Sequence, residues 1–160
     1  MTLDQAQKLV SDLGSSIGAE SAAFTMNDLG EANLVYDETS EVLIKHFENC
    51  LILGCAVADD IGLADPGLFP TLMDYQYLGI RTFGNTLSWN SDGSSLLLSR
   101  HVFGDPSAAD LANELERLLR AAQSVREDLE MILDGNWAQA ISTEDAGFAE
   151  SVTPRFLDRA

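Results

Sequence analysis

At 160 residues the chain has the length of one domain, enough to bury roughly 70% of its unfolded surface around a core without a disulfide or metal staple. Its 26 acidic against 9 basic residues give a formal net charge of −17, which repels phosphate backbones and anionic membranes, so nucleic-acid and membrane binding are disfavoured. The start Met1-Thr2-Leu3-Asp4-Gln5 has no basic region followed by an apolar one, and no apolar run reaches the ~18 residues of a membrane span, so the expected location is the cytosol.

Thr2 followed three residues later by Gln5 is a capping-box pattern. Leu3, Ala6, Leu9, Val10, Leu13 and Ile17 recur behind it at helical spacing, predicting a first amphipathic helix ended by Gly14 or Gly18. From Ala32 the period changes to two: Ala32, Leu34 and Tyr36 alternate with Asn33, Val35 and Asp37, as in a strand. A turn at Asp37-Glu38-Thr39-Ser40, a second strand over 42–47, a tight Glu48-Asn49 connection and a third strand over 50–57 complete an antiparallel meander. Cys50 and Cys55 fall on opposite faces of that third strand, which predicts two thiols and no disulfide. The segment 59–67 reads as a solvated loop, because its aspartates lack the alternate oxygens, sixth-position glycine and closing glutamate of a calcium loop.

Pro70 fits the first turn of a second, short helix. Its apolar residues Leu72, Met73, Tyr75, Tyr77 and Leu78 do not share one stripe, so it needs cover on two sides: the sheet on one, and on the other a second chain or an exposed interaction patch. Gly79 reads as the left-handed stop of this helix, and Asp92-Gly93 between 86–89 and 95–102 is a strong hairpin signal. Asp105-Pro106-Ser107 opens the longest helix, where Leu111, Leu115, Leu118, Ala122, Val125, Leu129 and Ile132 form one continuous stripe and Glu116 pairs with Arg120. A coiled coil competes for that stripe but would span barely three heptads, and the sheet already needs a helix to cover it. From Gly135 the period is lost. Residues 1–134 therefore read as the domain and 135–160 as an appendage in which Trp137, Ile141, Phe148 and Phe156 could dock.

The order α-β-β-β-α-β-β-α is that of an α+β domain with helices covering a twisted antiparallel sheet. No catalytic constellation accompanies it. His46 and His101 are the only histidines, and Ser99 and His101, two apart on one strand face, do not make a triad by themselves. There is no Gly-x-Ser-x-Gly elbow and no phosphate-binding glycine loop, and two Cys with two His at these spacings do not suit zinc. The expectation is a binding protein without catalytic residues, metal or cofactor.

The short helix 72–78, the corner Thr82-Phe83-Gly84-Asn85-Thr86-Leu87 and the strand Leu96-Leu97-Leu98-Ser99-Arg100 resemble, in this order, the class I type III secretion chaperones of the Tir-chaperone family. The likeness covers roughly residues 3–133, and Phe83 and Asn85 stand where that family commonly has small residues. It implies a homodimeric chaperone of the bacterial cytoplasm, active without ATP or any cofactor. Such a chaperone binds the N-terminal segment of a secreted effector as an extended chain, and the secretion ATPase is a further partner. The candidate effector-binding residues are Leu9, Leu13, Leu34, Tyr36, Leu43 and Phe47, for each of which plain core is the reading to beat, because half of every amphipathic element faces the core regardless. The candidate dimer residues are Leu72, Met73, Tyr75 and Tyr77, with Trp89 able to serve either role. Two rivals are an acidic adaptor for a folded regulatory protein and a small hydrolase using His101.

Overall fold

The computed structural model describes residues 1–16, 24–35, 40–59, 68–90 and 95–135. Helix α1 (Leu3–Ser16) is followed by strands β1 (Glu31–Val35), β2 (Glu41–Phe47) and β3 (Cys50–Ala58). Helix α2 (Leu68–Gln76) then runs into a 3-10 turn (Tyr77–Gly79), strands β4 (Thr86–Asn90) and β5 (Ser95–Phe103), and the long helix α3 (Ala108–Leu133). Gly18, Tyr36, the turn residues 37–39, the loop 60–67, Asp92-Gly93 and the appendage from 136 onward lie outside the described residues.

The sheet is antiparallel throughout, in the order β1-β2-β3-β5-β4. Inserting α2 between β3 and β4 breaks the meander, so the last strand, β5, pairs with β3 and leaves β4 at the margin. Strand alternation sends Ala32, Leu34, Val42, Ile44, Leu51, Leu53, Cys55, Leu98 and Val102 to one buried face. The helices cover that face: α3 lies along β3 and β5, and α1 lies beside α3. All seven stripe residues of α3, from Leu111 to Ile132, are buried as their spacing predicts. Cys50 and Cys55 are both reduced and buried. No helix among the described residues is long and apolar enough to cross a membrane.

Both long helices begin at capping boxes. Thr2 N–H donates to Gln5 Oε1 at 2.6 Å and Gln5 N–H donates to Thr2 Oγ1 at 3.3 Å. At α3, Asp110 N–H donates to Ser107 Oγ at 3.2 Å, while the Ser107 hydroxyl and N–H donate back to Asp110 Oδ2 at 2.7 and 2.9 Å. Those two donations, the hydroxyl first, hold the Asp110 carboxyl below the ordinary carboxylate range.

Gly14 does not end α1. The helix continues to Ser16 with Gly14 buried inside it, and a Cβ at this position would fall 2.5 Å from Phe24 Cβ. The glycine is there so that Phe24 can lie on the helix backbone. A second fixed point is Arg126 of α3, whose guanidinium donates to Ser40 Oγ at 3.2 Å, Cys55 Sγ at 3.3 Å and the Ala56 carbonyl at 2.8 Å. The third is the corner before β4. Thr82 Oγ1 donates to the Asn85 carbonyl and Asn85 Nδ2 to the Thr82 carbonyl, both at 2.6 Å, with both residues buried. Asn85 is thus a polar lock in a place where a small residue would have none.

Two outcomes follow from these contacts. Gly14→Ala, which in an open helix gains about 1 kcal/mol, should here lower the thermal midpoint, because Phe24 must move; a rise in Tm on a melting curve would contradict the packing. Asp110→Asn should flatten the acid limb of the stability curve. A lowered folded pKa contributes stability that is complete above the unfolded carboxylate's value and lost as pH falls through the folded one, which chemical denaturation from neutral pH into the acid range would measure.

Candidate functional site

The covered side of the sheet is not covered to its edge. Between α1, α3 and the β1–β2 hairpin lies an apolar groove with a cavity of about 390 Å³, lined by Leu13, Phe24, Leu34, Val42, Leu115 and Leu119 with Arg120 and Gln123 at its rim. A second cavity of about 510 Å³ continues past Arg126 towards Ala56, Ala58 and Leu129. Val35, Ser40 and Arg126 line both, so the two form one trough along α3, divided by the Arg126 guanidinium.

β1 is the sheet margin beside this trough. Asn27 occupies the outward backbone groups of Glu31: its N–H donates to the Glu31 carbonyl at 2.8 Å, and its Oδ1 accepts from the Glu31 N–H at 2.9 Å. Antiparallel alternation then turns the N–H and C=O of Asn33 and Val35 outward too. Leu34 between them points into the groove. The opposite margin differs. Gln76 at the end of α2 lays its amide along β4, Nε2 donating to the Asn85 carbonyl at 3.2 Å and Oε1 accepting from the Leu87 N–H. One side chain there takes the place of a neighbouring strand.

The residues proposed from sequence for a client do not share one surface. Leu13 and Leu34 line the groove, although each is nearly enclosed, and Leu9 is buried in the core. Leu43 and Phe47 are exposed on the uncovered face of the sheet, and Tyr36 lies outside the described residues. Phe24, Val35, Leu115 and Leu119 complete the groove and were not among the residues named for a client from sequence. Leu119 had a signal, since it widens the α3 stripe beside Leu118; Phe24 belongs to no periodic run and had none.

The short helix divides as its mixed apolar pattern predicts. Leu68, Leu72 and Tyr75 are buried, with the Tyr75 hydroxyl donating to Asp128 Oδ2 of α3 at 2.7 Å. Met73 and Tyr77 are exposed, as are Phe69, Leu78 and Ile80, so five large apolar side chains of this short stretch stand in solvent. Trp89 is half-buried. Of the residues named for a dimer contact, Met73 and Tyr77 are therefore exposed, whereas Leu72 and Tyr75 hold α2 to its own subunit. Leu78 at φ 54° and Phe83 at φ 54° both adopt the left-handed backbone that bulky residues avoid, each at a cost of about 1–3 kcal/mol. Both side chains are presented to solvent.

The histidines carry no such arrangement. His46 Nε2 lies 3.1 Å from the Met1 carbonyl, and His101 stacks on Phe103 with centroids 6.0 Å apart on the uncovered face. The Ser99 hydroxyl donates to the Thr86 carbonyl at 3.2 Å. Among the described residues no group of three or more Cys, His, Asp or Glu is placed to hold a metal.

Comparison with curated proteins found no match. Among solved structures the chain is similar to one in the crystal structure of the ExsC-ExsE complex, with 18% identity and a TM-score of 0.64 over 78% of this chain and 93% of that one. It is also similar to a chain of the HopA1-SchA chaperone-effector complex, with 15% identity and a TM-score of 0.58 over 79% and 98%. A third is in the heterodimeric ExoU-SpcU complex from the type III secretion system of Pseudomonas aeruginosa, with 12% identity and a TM-score of 0.53 over 74% and 95%. At such identities the likeness is one of fold. The sequence itself goes further: the model of the Tir chaperone protein (CesT) family matches residues 8–126, from the first helix through most of the last, and the chain belongs to that family.

Proposed function

We propose that the protein is a type III secretion chaperone of the bacterial cytoplasm that binds an N-terminal segment of a secreted effector in extended form and keeps it soluble. The observation that carries this reading is the apolar trough beside the open margin of β1. An extended segment paired with Asn33 and Val35 would join the sheet as a new strand, and its alternate side chains would fall towards Leu34, Leu115 and Leu119. Work of this kind needs apolar area and backbone partners. It requires no nucleotide, cofactor or catalytic group, and the protein acts by binding. The charge of −17 keeps the loaded complex soluble and favours clients of opposite charge.

We further propose a homodimer through α2, with Phe69, Met73, Tyr77, Leu78 and Ile80 packed against the same residues of a second copy. Two copies give the client two troughs, so its segment runs over both subunits. The secretion ATPase is the natural receiver of such an extended, undocked chain.

The test is co-expression with candidate effectors, copurification and protease mapping of the bound client. A segment that becomes protected yet has no denaturant resistance of its own would support the reading; a client bound as a folded domain would contradict it. Val35→Glu should weaken client binding about tenfold or more, the equivalent of losing one buried apolar side chain, with a melting curve close to wild type because Val35 is exposed. Met73→Glu with Tyr77→Glu should halve the mass seen by size-exclusion light scattering and leave the circular dichroism spectrum unchanged.

A further inference from the structure

Beside the apolar trough, towards β5 and sharing Arg120 with its rim, lies a third cavity, of about 460 Å³, lined by Phe83, Arg100, Arg117, Arg120 and Ala121. Its chemistry is opposite to that of the molecule around it. In a chain with 26 acidic and 9 basic residues, three arginines and one aromatic ring line a single cleft. Arg100 is its fixed cation: it is largely enclosed, bonded to Glu114 and held by Asn85 Oδ1 at 3.3 Å. Arg117 and Arg120 are 66% and 79% exposed, paired with Glu114 at 3.1 Å and Glu116 at 2.5 Å. Ion pairs so exposed are worth little and exchange readily with an incoming carboxylate. Phe83, in its left-handed backbone, supplies the aromatic wall.

We propose that this cleft is the docking site of residues 142–150 of the same chain, an acidic segment that seats Phe148 against Phe83 and its carboxylates on Arg117 and Arg120. That segment reads Ser-Thr-Glu-Asp-Ala-Gly-Phe-Ala-Glu: it places Glu144, Asp145 and Glu150 around Phe148 with no lysine or arginine. Two features favour a tethered occupant over an acidic partner in solution. A free acidic peptide is repelled by the net charge of −17 before it reaches the cleft, whereas a tethered one is held there at an effective concentration on the order of millimolar. The reach is also sufficient. Ala121 lies about 20 Å back along α3 from Gly135 at ~1.5 Å per residue, and the chain from Gly135 to Phe148 extends to about 40 Å at ~3.3 Å per residue. Arginine stacking on the ring and carboxylate bonds to the guanidinium forks are the contacts that such a sequence and such a cleft make together.

The experiment is photocrosslinking in the full-length chain, without client, with p-benzoylphenylalanine in place of Phe148. The expected product is a link within one chain to peptides carrying Phe83 or residues 117–121. Arg117→Glu with Arg120→Glu should cut its yield roughly tenfold, and adding Glu144→Lys, Asp145→Lys and Glu150→Lys should restore it, since the charge pairing is then reversed on both sides. Salt at about 0.5 M should weaken it. Absence of a link, a yield indifferent to charge reversal, links to the trough at Leu34 or Leu119, or links joining isotopically distinct copies would each overturn the proposal. Because no client enters the measurement, its failure leaves the chaperone reading untouched, and loss of client binding leaves this one untouched.

Discussion

The seating of α3 on β3 and β5 is the contact on which the rest of the molecule depends. A sheet buried on one face needs a cover about as wide as itself, and a helix of this length, with a stripe from Leu111 to Ile132, covers only the central strands. What remains uncovered at the sides is decided by this one placement: the trough beside β1 and, next to it towards β5, the arginine cleft. Arg126 fixes the placement more firmly than apolar packing alone could, since its guanidinium bonds to β3 at Cys55 and Ala56 and to Ser40 just before β2. Apolar contacts tolerate a slide of the helix; three directional bonds do not.

The exposed apolar surface is divided in kind as well as in place. In the trough, Leu115 and Leu119 belong to the same helix face that forms the core, so the surface available to a partner is continuous with the interior. On α2 the two functions are separated around the helix, with Leu68, Leu72 and Tyr75 inward and Phe69, Met73 and Tyr77 outward. The Tyr75–Asp128 bond keeps that division in register. Rotating α2 by one residue would exchange an anchored tyrosine for an exposed one.

Much of this was legible in the sequence, for identifiable reasons. The α3 stripe and both amphipathic strand patterns are dictated by periods of 3.6 and 2, and the structure buries the residues these periods select. The Thr2–Gln5 box is a local pattern and forms locally. Of the two glycines offered as the stop of α1, Gly18 lies outside the described residues and Gly14 lies inside the helix: a glycine near a helix end looks like a stop, and only the tertiary approach of Phe24 reveals Gly14 as a seat for a ring. The groove was half legible for a similar reason. Leu13 and Leu34 follow from periodicity, but whether an apolar residue faces core or cleft depends on where a neighbouring element ends, as at Leu119, and no local pattern records that.

The Gln76 amide lying along β4 has a further consequence for how copies of the protein meet. An uncapped margin of a sheet is a template on which identical chains can stack without limit, and hydrogen bonding is the only ticket of admission. Here the first rungs of that ladder, at Asn85 and Leu87, are already occupied from within, so runaway stacking through β4 would have to begin by evicting a side chain of its own molecule.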